Sequence, residues 1–209
     1  CFVIDERGEI VSPSTLTALI AVRELAKDPG SSIIHNLITS RSVAEVVQEN
    51  GGTPVRSRVG HSFIKAVMAD TGAVFGGEHS GHFYFRDFWR ADSGMLAAMH
   101  ALAALGETPA GTTLSSLLSE YKRYTDSGEI NTTVDDQAAM TATIKAQYEG
   151  QPGVELDELD GLTVSGDTWW FNLRPSNTEP LLRLNVEAKD PAQMAQVRDD
   201  VLAVLRGGA

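Results

Sequence analysis

From Ser12 to Tyr121 short apolar runs alternate with amphipathic stretches, each bounded by a strong breaker. A chain patterned this way folds as strands alternating with helices around a largely parallel sheet. Ser12-Pro13 places a capping hydroxyl before a proline in the first helical turn, and Leu16, Leu19, Ile20 and Ala26 follow at helical spacing until Asp28-Pro29-Gly30. Residues 33–38 read as an apolar strand. Ser42-Val43-Ala44-Glu45 has the form of a capping box, with Val43, Val46 and Val47 on the buried face and Asn50-Gly51-Gly52 as the stop. Residues 55–59 read as a strand, 63–69 as a short helix, 73–75 as another strand, and 92–105 as an apolar helix ended by Gly106; Leu114, Leu117, Leu118 and Tyr121 mark one more. The expectation is a three-layer α/β domain with a mostly parallel mixed sheet.

The pattern then changes. Residues 122–128 are polar and read as a linker ending in Asp-Ser-Gly. A strand over 130–134 leads into a helix opened by Asp135-Asp136, with Met140, Ile144 and Tyr148 on one face. A strand near Val154, a turn at Asp160-Gly161 and two strong strands, 168–173 and 181–188, precede a last helix carrying Met194, Val197, Val201 and Leu205. Strands joined by short loops indicate a smaller α+β domain with an antiparallel sheet. At the other end, Cys1-Phe2-Val3-Ile4 reads as the inside of a strand, turned at Glu6-Arg7-Gly8 into Glu9-Ile10-Val11. A lone hairpin is marginal in water, so residues 1–11 read as the tail of a preceding domain and the chain as a fragment. The expected divisions are 1–11, 12–124 and 125–209.

Seventeen basic and 28 acidic side chains give a net charge of −11. That field repels nucleic acid and anionic membrane, and any phosphorylated ligand as well. A phosphate site here must therefore be a local cluster of donors, and neither nucleic acid nor membrane is expected as a partner. The single cysteine, Cys1, excludes an intrachain disulfide framework. The longest nearly apolar stretch, 95–105, is too short to span a bilayer, and no secretory signal opens the sequence. The chain reads as cytoplasmic.

Three loops carry chemistry. In Gly76-Gly77-Glu78-His79-Ser80-Gly81-His82, glycines allow tight turning and close approach to a ligand. Glu78 can accept from two hydroxyls, while Ser80 both donates and accepts, which suits a sugar. The residues alone leave open a plain glycine turn and a metal site from Glu78, His79 and His82, although H-x-x-H lacks the i, i+4 spacing of the helical zinc motif. In Val59-Gly60-His61-Ser62, a helix start offers unpaired N–H groups, with Lys65 in its first turn; the alternative is Ser62 as an ordinary cap. In Arg174-Pro175-Ser176-Asn177-Thr178-Glu179-Pro180, a planar guanidinium and three further side-chain donors sit between two strands, where a bland hairpin loop is the alternative. Trp169-Trp170, in a strand, should send one ring to the core and one to the surface or a neighbouring domain; a sugar-stacking platform is the sharper reading. His35 and His100 read as packed or surface residues, and Arg183 as a cross-strand partner.

G-G-E-H-S-G-H followed by F-Y-F-R-D-F and A-D-S-G-M-L-A-A resembles the sugar-recognition loop of the α-D-phosphohexomutases, and its extension is most like the phosphomannomutase branch. V-G-H-S-F-I-K is similar to the family's G-H-S-x-I-K segment, and R-P-S-N-T-E-P matches its R-x-S-N-T-x-P phosphate loop. The resemblance implies that Glu78 and Ser80 contact ring hydroxyls, that His61 borders the substrate, and that His82 lies near the sugar as a possible acid or base. It implies phosphate contacts from Arg174, Ser176, Asn177 and Thr178. Arg41 falls where relatives place a basic residue, and with Lys65 it is a secondary candidate. The implied enzyme is an isomerase of carbohydrate metabolism, an intramolecular phosphotransferase that interconverts hexose 6-phosphate and hexose 1-phosphate. A phosphoserine and a hexose bisphosphate serve as intermediates, and Mg²⁺ is the cofactor. The family carries its serine loop (T-A-S-H-N-P-like) and metal loop (D-G-D-x-D-R) in N-terminal domains, and neither motif occurs in this sequence. The expectation is thus no metal ligand in this chain, no catalysis by the chain alone, and the missing N-terminal domains and a hexose phosphate as partners. The alternatives are a stand-alone sugar-phosphate-binding module, or a phosphoglucomutase or phosphoglucosamine mutase.

Overall fold

A central strand, β1 (Ser32–Asn36), sends Ile33 into one core and Ile34 into another, and these two cores define the layers of the first half of the chain. The computed structural model describes residues 1–176 and 178–207, which form two units, one from Cys1 to Arg123 and one beginning at Tyr124. In the first, β1 pairs in parallel with β2 (Thr53–Ser57) and β3 (Phe75–Gly77). Antiparallel β4 (Phe83–Phe85) and β5 (Ala91–Asp92) extend the mixed sheet in the order β2-β1-β3-β4-β5. On the Ile33 face lie α1 (Pro13–Lys27), α2 (Arg41–Glu49), α4 (Gly94–Gly106) and α5 (Leu114–Leu118), packing Leu16, Leu19, Val43, Val47 and Ala97 against Phe75, Phe83 and Phe85. On the Ile34 face α3 (His61–Thr71) lays Ile64 and Met68 against Ile34 and Tyr84. The strict alternation of Phe83, Tyr84 and Phe85 between these cores is the two-residue period of a strand buried on both faces.

Several local starts differ from the sequence reading. The cap of α2 is Ser40, whose hydroxyl accepts from the Ser42 N–H, so Ser42 lies inside the helix and no capping box forms; Glu45 instead binds Arg123 at 3.2 Å. Helix α3 begins at His61 rather than residue 63, and its cap is Gly60 with φ of 126°, a conformation that side-chain-bearing residues avoid. Ser62 is therefore not the cap. Ser12 does cap α1 by position, but its hydroxyl makes no capping hydrogen bond. Strand β3 is displaced two residues onward from the expected one, because Gly76 and Gly77 carry the ladder with β1 and β4. At the chain start the expected hairpin forms as a short piece, an Ile4–Ile10 bridge flanked by the Asp5 N–H to Glu9 O and Val11 N–H to Val3 O bonds, both 2.9 Å.

The second unit is an antiparallel sheet in the order β6-β10-β9-β8-β7, made of β6 (Thr125–Thr133), β7 (Glu155–Asp157), β8 (Leu162–Ser165), β9 (Trp169–Pro175) and β10 (Leu181–Ala188). Helices α6 (Gln137–Tyr148) and α7 (Pro191–Leu205) cover one face with Ile144, Met194, Val201 and Leu205. Residues 125–128 belong to β6 and not to a linker, since the polar side chains of an exposed edge strand leave no hydrophobic signature. β8 had no counterpart in the sequence reading because a turn, Asp160-Gly161, and four residues make too short a pattern. The cap of α6 is Asp136, accepting from the Ala139 N–H as expected of the Asp-Asp start. Trp169 stacks on Phe171 within the core. Trp170 goes to the opposite face, where it is buried and donates its indole N–H to Glu187, so neither ring is an open stacking platform.

Candidate functional site

The loops that leave β1, β2 and β3 emerge at one edge of the sheet, because parallel strands end on the same side. Glu78 ties them together. It is only 2% exposed, and its carboxylate accepts from Tyr84 Oη (2.8 Å), the Gly60 N–H (3.0 Å) and Asn36 Nδ2 (3.3 Å). Asn36 ends β1, Gly60 caps α3, and Tyr84 sits in β4, so one side chain fixes three elements. Thr39 in turn donates to Asn36 Oδ1 at 2.7 Å, which orients the amide. The approach of α1 is equally close: a Cβ on Gly77 would lie 2.3 Å from Thr17 Oγ1. Glycine is required there by contact, not by dihedral angle.

Above this buried carboxylate the loop is open. Ser80 and His82 are exposed and joined, with Ser80 Oγ 2.9 Å from His82 Nδ1. His61 and Lys65 are exposed on the first turn of α3, and Arg41 is half-buried at the first position of α2. His79 turns the other way, with Nδ1 3.1 Å from Ser14 Oγ, an atom that also accepts from the Ser40 N–H. Glu78, His79 and His82 thus engage three different sets of partners. Among the described residues no group of three or more His, Cys, Asp or Glu is arranged to hold a metal ion. The divalent cation implied by the resemblance has no ligand set among them.

His35, on β1, is buried, and burial pushes its pKa down to about 4. His100 is held partly inside against Phe85, 3.3 Å from Glu24, and burial lowers its pKa too. Burial pushes the Tyr84 phenol up, with further contributions from its hydrogen bond to Glu78 and the charge of that carboxylate, so Tyr84 remains a donor at any working pH.

In the second unit Arg174 closes β9 directly opposite Arg183 of β10. Both guanidiniums reach toward Glu129 of β6, at 3.9 and 3.5 Å, and the Nε of each is buried with no hydrogen-bond partner. Arg183 is therefore more than a cross-strand neighbour: two like charges stand side by side over one carboxylate. Ser176 is buried and its N–H returns to Leu181 O at 2.9 Å, narrowing the loop; Thr178 is exposed, its N–H 3.5 Å from Ser176 Oγ. Gln137, at the start of α6, donates to Glu179 O and Leu181 O and braces the loop from behind. Asn177 lies outside the described residues. In the first unit Asn36 and Tyr84, and in the second Glu129, escaped the sequence reading; Arg183 was read as a cross-strand partner, which it is, but not as a second donor beside Arg174. Arg183 had a signal, since nine residues on from Arg174 across a hairpin is a place where a second donor can face the first.

Residues 12–124 match the model of the phosphoglucomutase/phosphomannomutase α/β/α domain III, and residues 129–204 match that of the phosphoglucomutase/phosphomannomutase C-terminal domain. A phosphomannomutase of Methanocaldococcus jannaschii is 40% identical over 199 residues, covering 95% of this chain and 43% of the relative. The phosphohexose mutases of Xanthomonas campestris pv. campestris are 41% identical over 209 residues, covering 99% of this chain and 46% of theirs. A crystal structure of a phosphoglucomutase/phosphomannomutase family protein from Burkholderia thailandensis superposes with a TM-score of 0.84 at 30% identity, over 99% of this chain and 44% of that one. The chain spans less than half the length of the curated relatives it matches.

Proposed function

The chain belongs to the phosphoglucomutase/phosphomannomutase family, and from that premise we propose that it is the sugar-reading and phosphate-holding part of a phosphomannomutase. The reaction is interconversion of hexose 6-phosphate and hexose 1-phosphate with mannose as the sugar, whether or not glucose is accepted beside it. A phosphoserine in the N-terminal domains passes its phosphoryl group to the bound monophosphate. The bisphosphate so formed turns over and returns its other phosphoryl group to the serine. A Mg²⁺ held by those domains would supply charge stabilisation for the transfer, and this chain's residues supply positioning and charge. The chain alone lacks mutase activity, and the enzyme works in the cytoplasm.

The observation that carries this reading is the Arg174–Arg183 pair, two guanidiniums with a single carboxylate between them in a chain of net charge −11. A phosphate dianion fits there better than Glu129 does. It can take bidentate, charge-assisted hydrogen bonds at 2.7–2.9 Å in place of separations of 3.5 and 3.9 Å. Ser176, Asn177 and Thr178 complete the donor set and hold whichever phosphate is not reacting. At the first unit's loop edge, Ser80 and Glu78 read hydroxyls that the sugar presents alike in its two orientations. His61 and Lys65 border it, with Arg41 behind them. With Nδ1 engaged by Ser80, His82 has Nε2 left to give or take a proton.

Side-by-side assays of the full-length enzyme on the 1-phosphates of mannose, glucose and glucosamine test the proposal. Turnover of the mannose phosphate, with or without the glucose one, is expected. Turnover of glucosamine phosphate alone would replace the reading with a phosphoglucosamine mutase.

A further inference from the structure

Glu78 is read above as an acceptor for sugar hydroxyls, yet most of its acceptor capacity is already taken. A carboxylate offers about four lone-pair positions. Oε1 accepts from the Gly60 N–H and from Asn36 Nδ2, at 3.0 and 3.3 Å, which fills its pair. Among the described residues Oε2 accepts from Tyr84 Oη alone, at 2.8 Å. The open position is therefore on Oε2, next to the tyrosine hydroxyl. Tyr84 is itself among the most tightly held side chains of the unit: it is fully buried with Ile34, Ile64, Met68 and Ala73, and across the ladder it faces Gly76, which has no side chain to compete for the space.

We propose that Tyr84 is a positioning residue for hexose recognition. Its hydroxyl fixes Glu78 Oε2 so that the one remaining lone pair is presented to a sugar hydroxyl, while the same carboxylate holds the Gly60 turn that starts α3 at His61. This rests on the reading of Glu78 as a sugar acceptor. Phenylalanine at 84 would keep the ring and its packing and remove only the hydroxyl that donates to Glu78. Oε2 would then have two open positions and no donor of its own, and the carboxylate, held through Oε1 alone, would turn more freely about its last bond, a broad and nearly two-fold torsion. The site would still bind a sugar but would aim it less well, and small misplacement is costly for transfer between oriented groups.

The test is a double-mutant cycle in the full-length enzyme, measuring kcat/KM for the mannose phosphate and the thermal midpoint of each variant. Tyr84→Phe is expected to lower kcat/KM by roughly 10- to 150-fold, the range of one hydrogen bond to a charged group. In a Glu78→Gln background the same change should add little, because Tyr84 acts through that carboxylate. An unchanged kcat/KM in Tyr84→Phe overturns the proposal. So does an equal loss in both backgrounds, which is what a purely structural role gives. If Glu78→Gln alone leaves kcat/KM unchanged, the fault lies in the underlying reading of Glu78. Should Tyr84→Phe lose its fold, 3-fluorotyrosine at position 84 replaces it. This keeps the shape and makes the hydroxyl a stronger donor, so kcat/KM should shift with Glu78 present and not with Gln; no shift in either overturns the proposal.

Discussion

Arg174 and Arg183 stand opposite each other on adjacent antiparallel strands, and both guanidiniums lean on the same carboxylate, Glu129. Like charges directly opposite in a sheet are destabilising, and one carboxylate at 3.5 and 3.9 Å offsets little of that. An arrangement that lowers stability in the free protein is the kind that an anion relieves on binding. Arg174→Ala in the full-length enzyme should therefore cost about 2–3 kcal/mol of transition-state binding, roughly 30- to 150-fold in kcat/KM, with either sugar phosphate. Steady-state kinetics on both substrates measure it, and unchanged values for both would remove Arg174 from the phosphate site.

At Gly77, β3 approaches α1 too closely for a side chain. A methyl group there would lie 2.3 Å from Thr17 Oγ1 and 2.9 Å from Thr17 Cβ, and Thr17 is fully buried and hydrogen-bonded to Pro13 O. Gly77→Ala should lower stability by about 1–3 kcal/mol through overpacking. Thr17→Ala should recover only part of this, because the β-carbon stays. Denaturant midpoints of the single and double variants check both statements; equal stability of Gly77→Ala and wild type would contradict the contact.

His35 makes the first unit sensitive to acid. Its pKa is about 4 in the folded chain against 6.5 for a free histidine, because burial disfavours the charged ring. Between those values the unfolded chain takes up a proton that the folded chain does not. The contribution of His35 to stability is thus complete above pH 6.5 and is lost as pH falls toward 4. The full loss is on the order of 3 kcal/mol. Urea midpoints from pH 7 to 4.5 should fall more steeply for wild type than for His35→Asn; parallel curves would show that His35 is not the group responsible.

Trp170 and Glu187 form a buried pair on the polar face of the second sheet, directly opposite each other in the ladder. Trp170→Phe removes the indole donor and leaves a carboxylate that is 2% exposed with one fewer partner. The expected cost is about 1–3 kcal/mol, read as a lower thermal midpoint of the second unit. A midpoint unchanged within error would mean that Glu187 is satisfied without it.

Much of the architecture could be read along the chain, for a definite reason. The alternation from Ser12 to Tyr121, the Asp-Pro-Gly and Asn-Gly-Gly stops, and the valine face of α2 are short-range signals that act within a few residues. What failed was equally local. Ser42 looked like a capping residue but lost that place to Ser40, and residues 125–128 looked like a linker because an edge strand need not be apolar. A four-residue strand such as β8 carries too few alternations to register.

The sequence by itself determined which residue types could meet a sugar phosphate: Glu78, Ser80 and His82 in one glycine-rich loop, and Arg174, Ser176 and Thr178 in another. Only the tertiary structure decided what those groups have left to offer. It placed Asn36 and Gly60 on one oxygen of Glu78 and Tyr84 on the other, and it set Arg183 opposite Arg174. The partners of Glu78 on either side, Asn36 and Tyr84, lie 48 residues apart in the chain. Their meeting depends on strand register and helix packing, which no local pattern encodes.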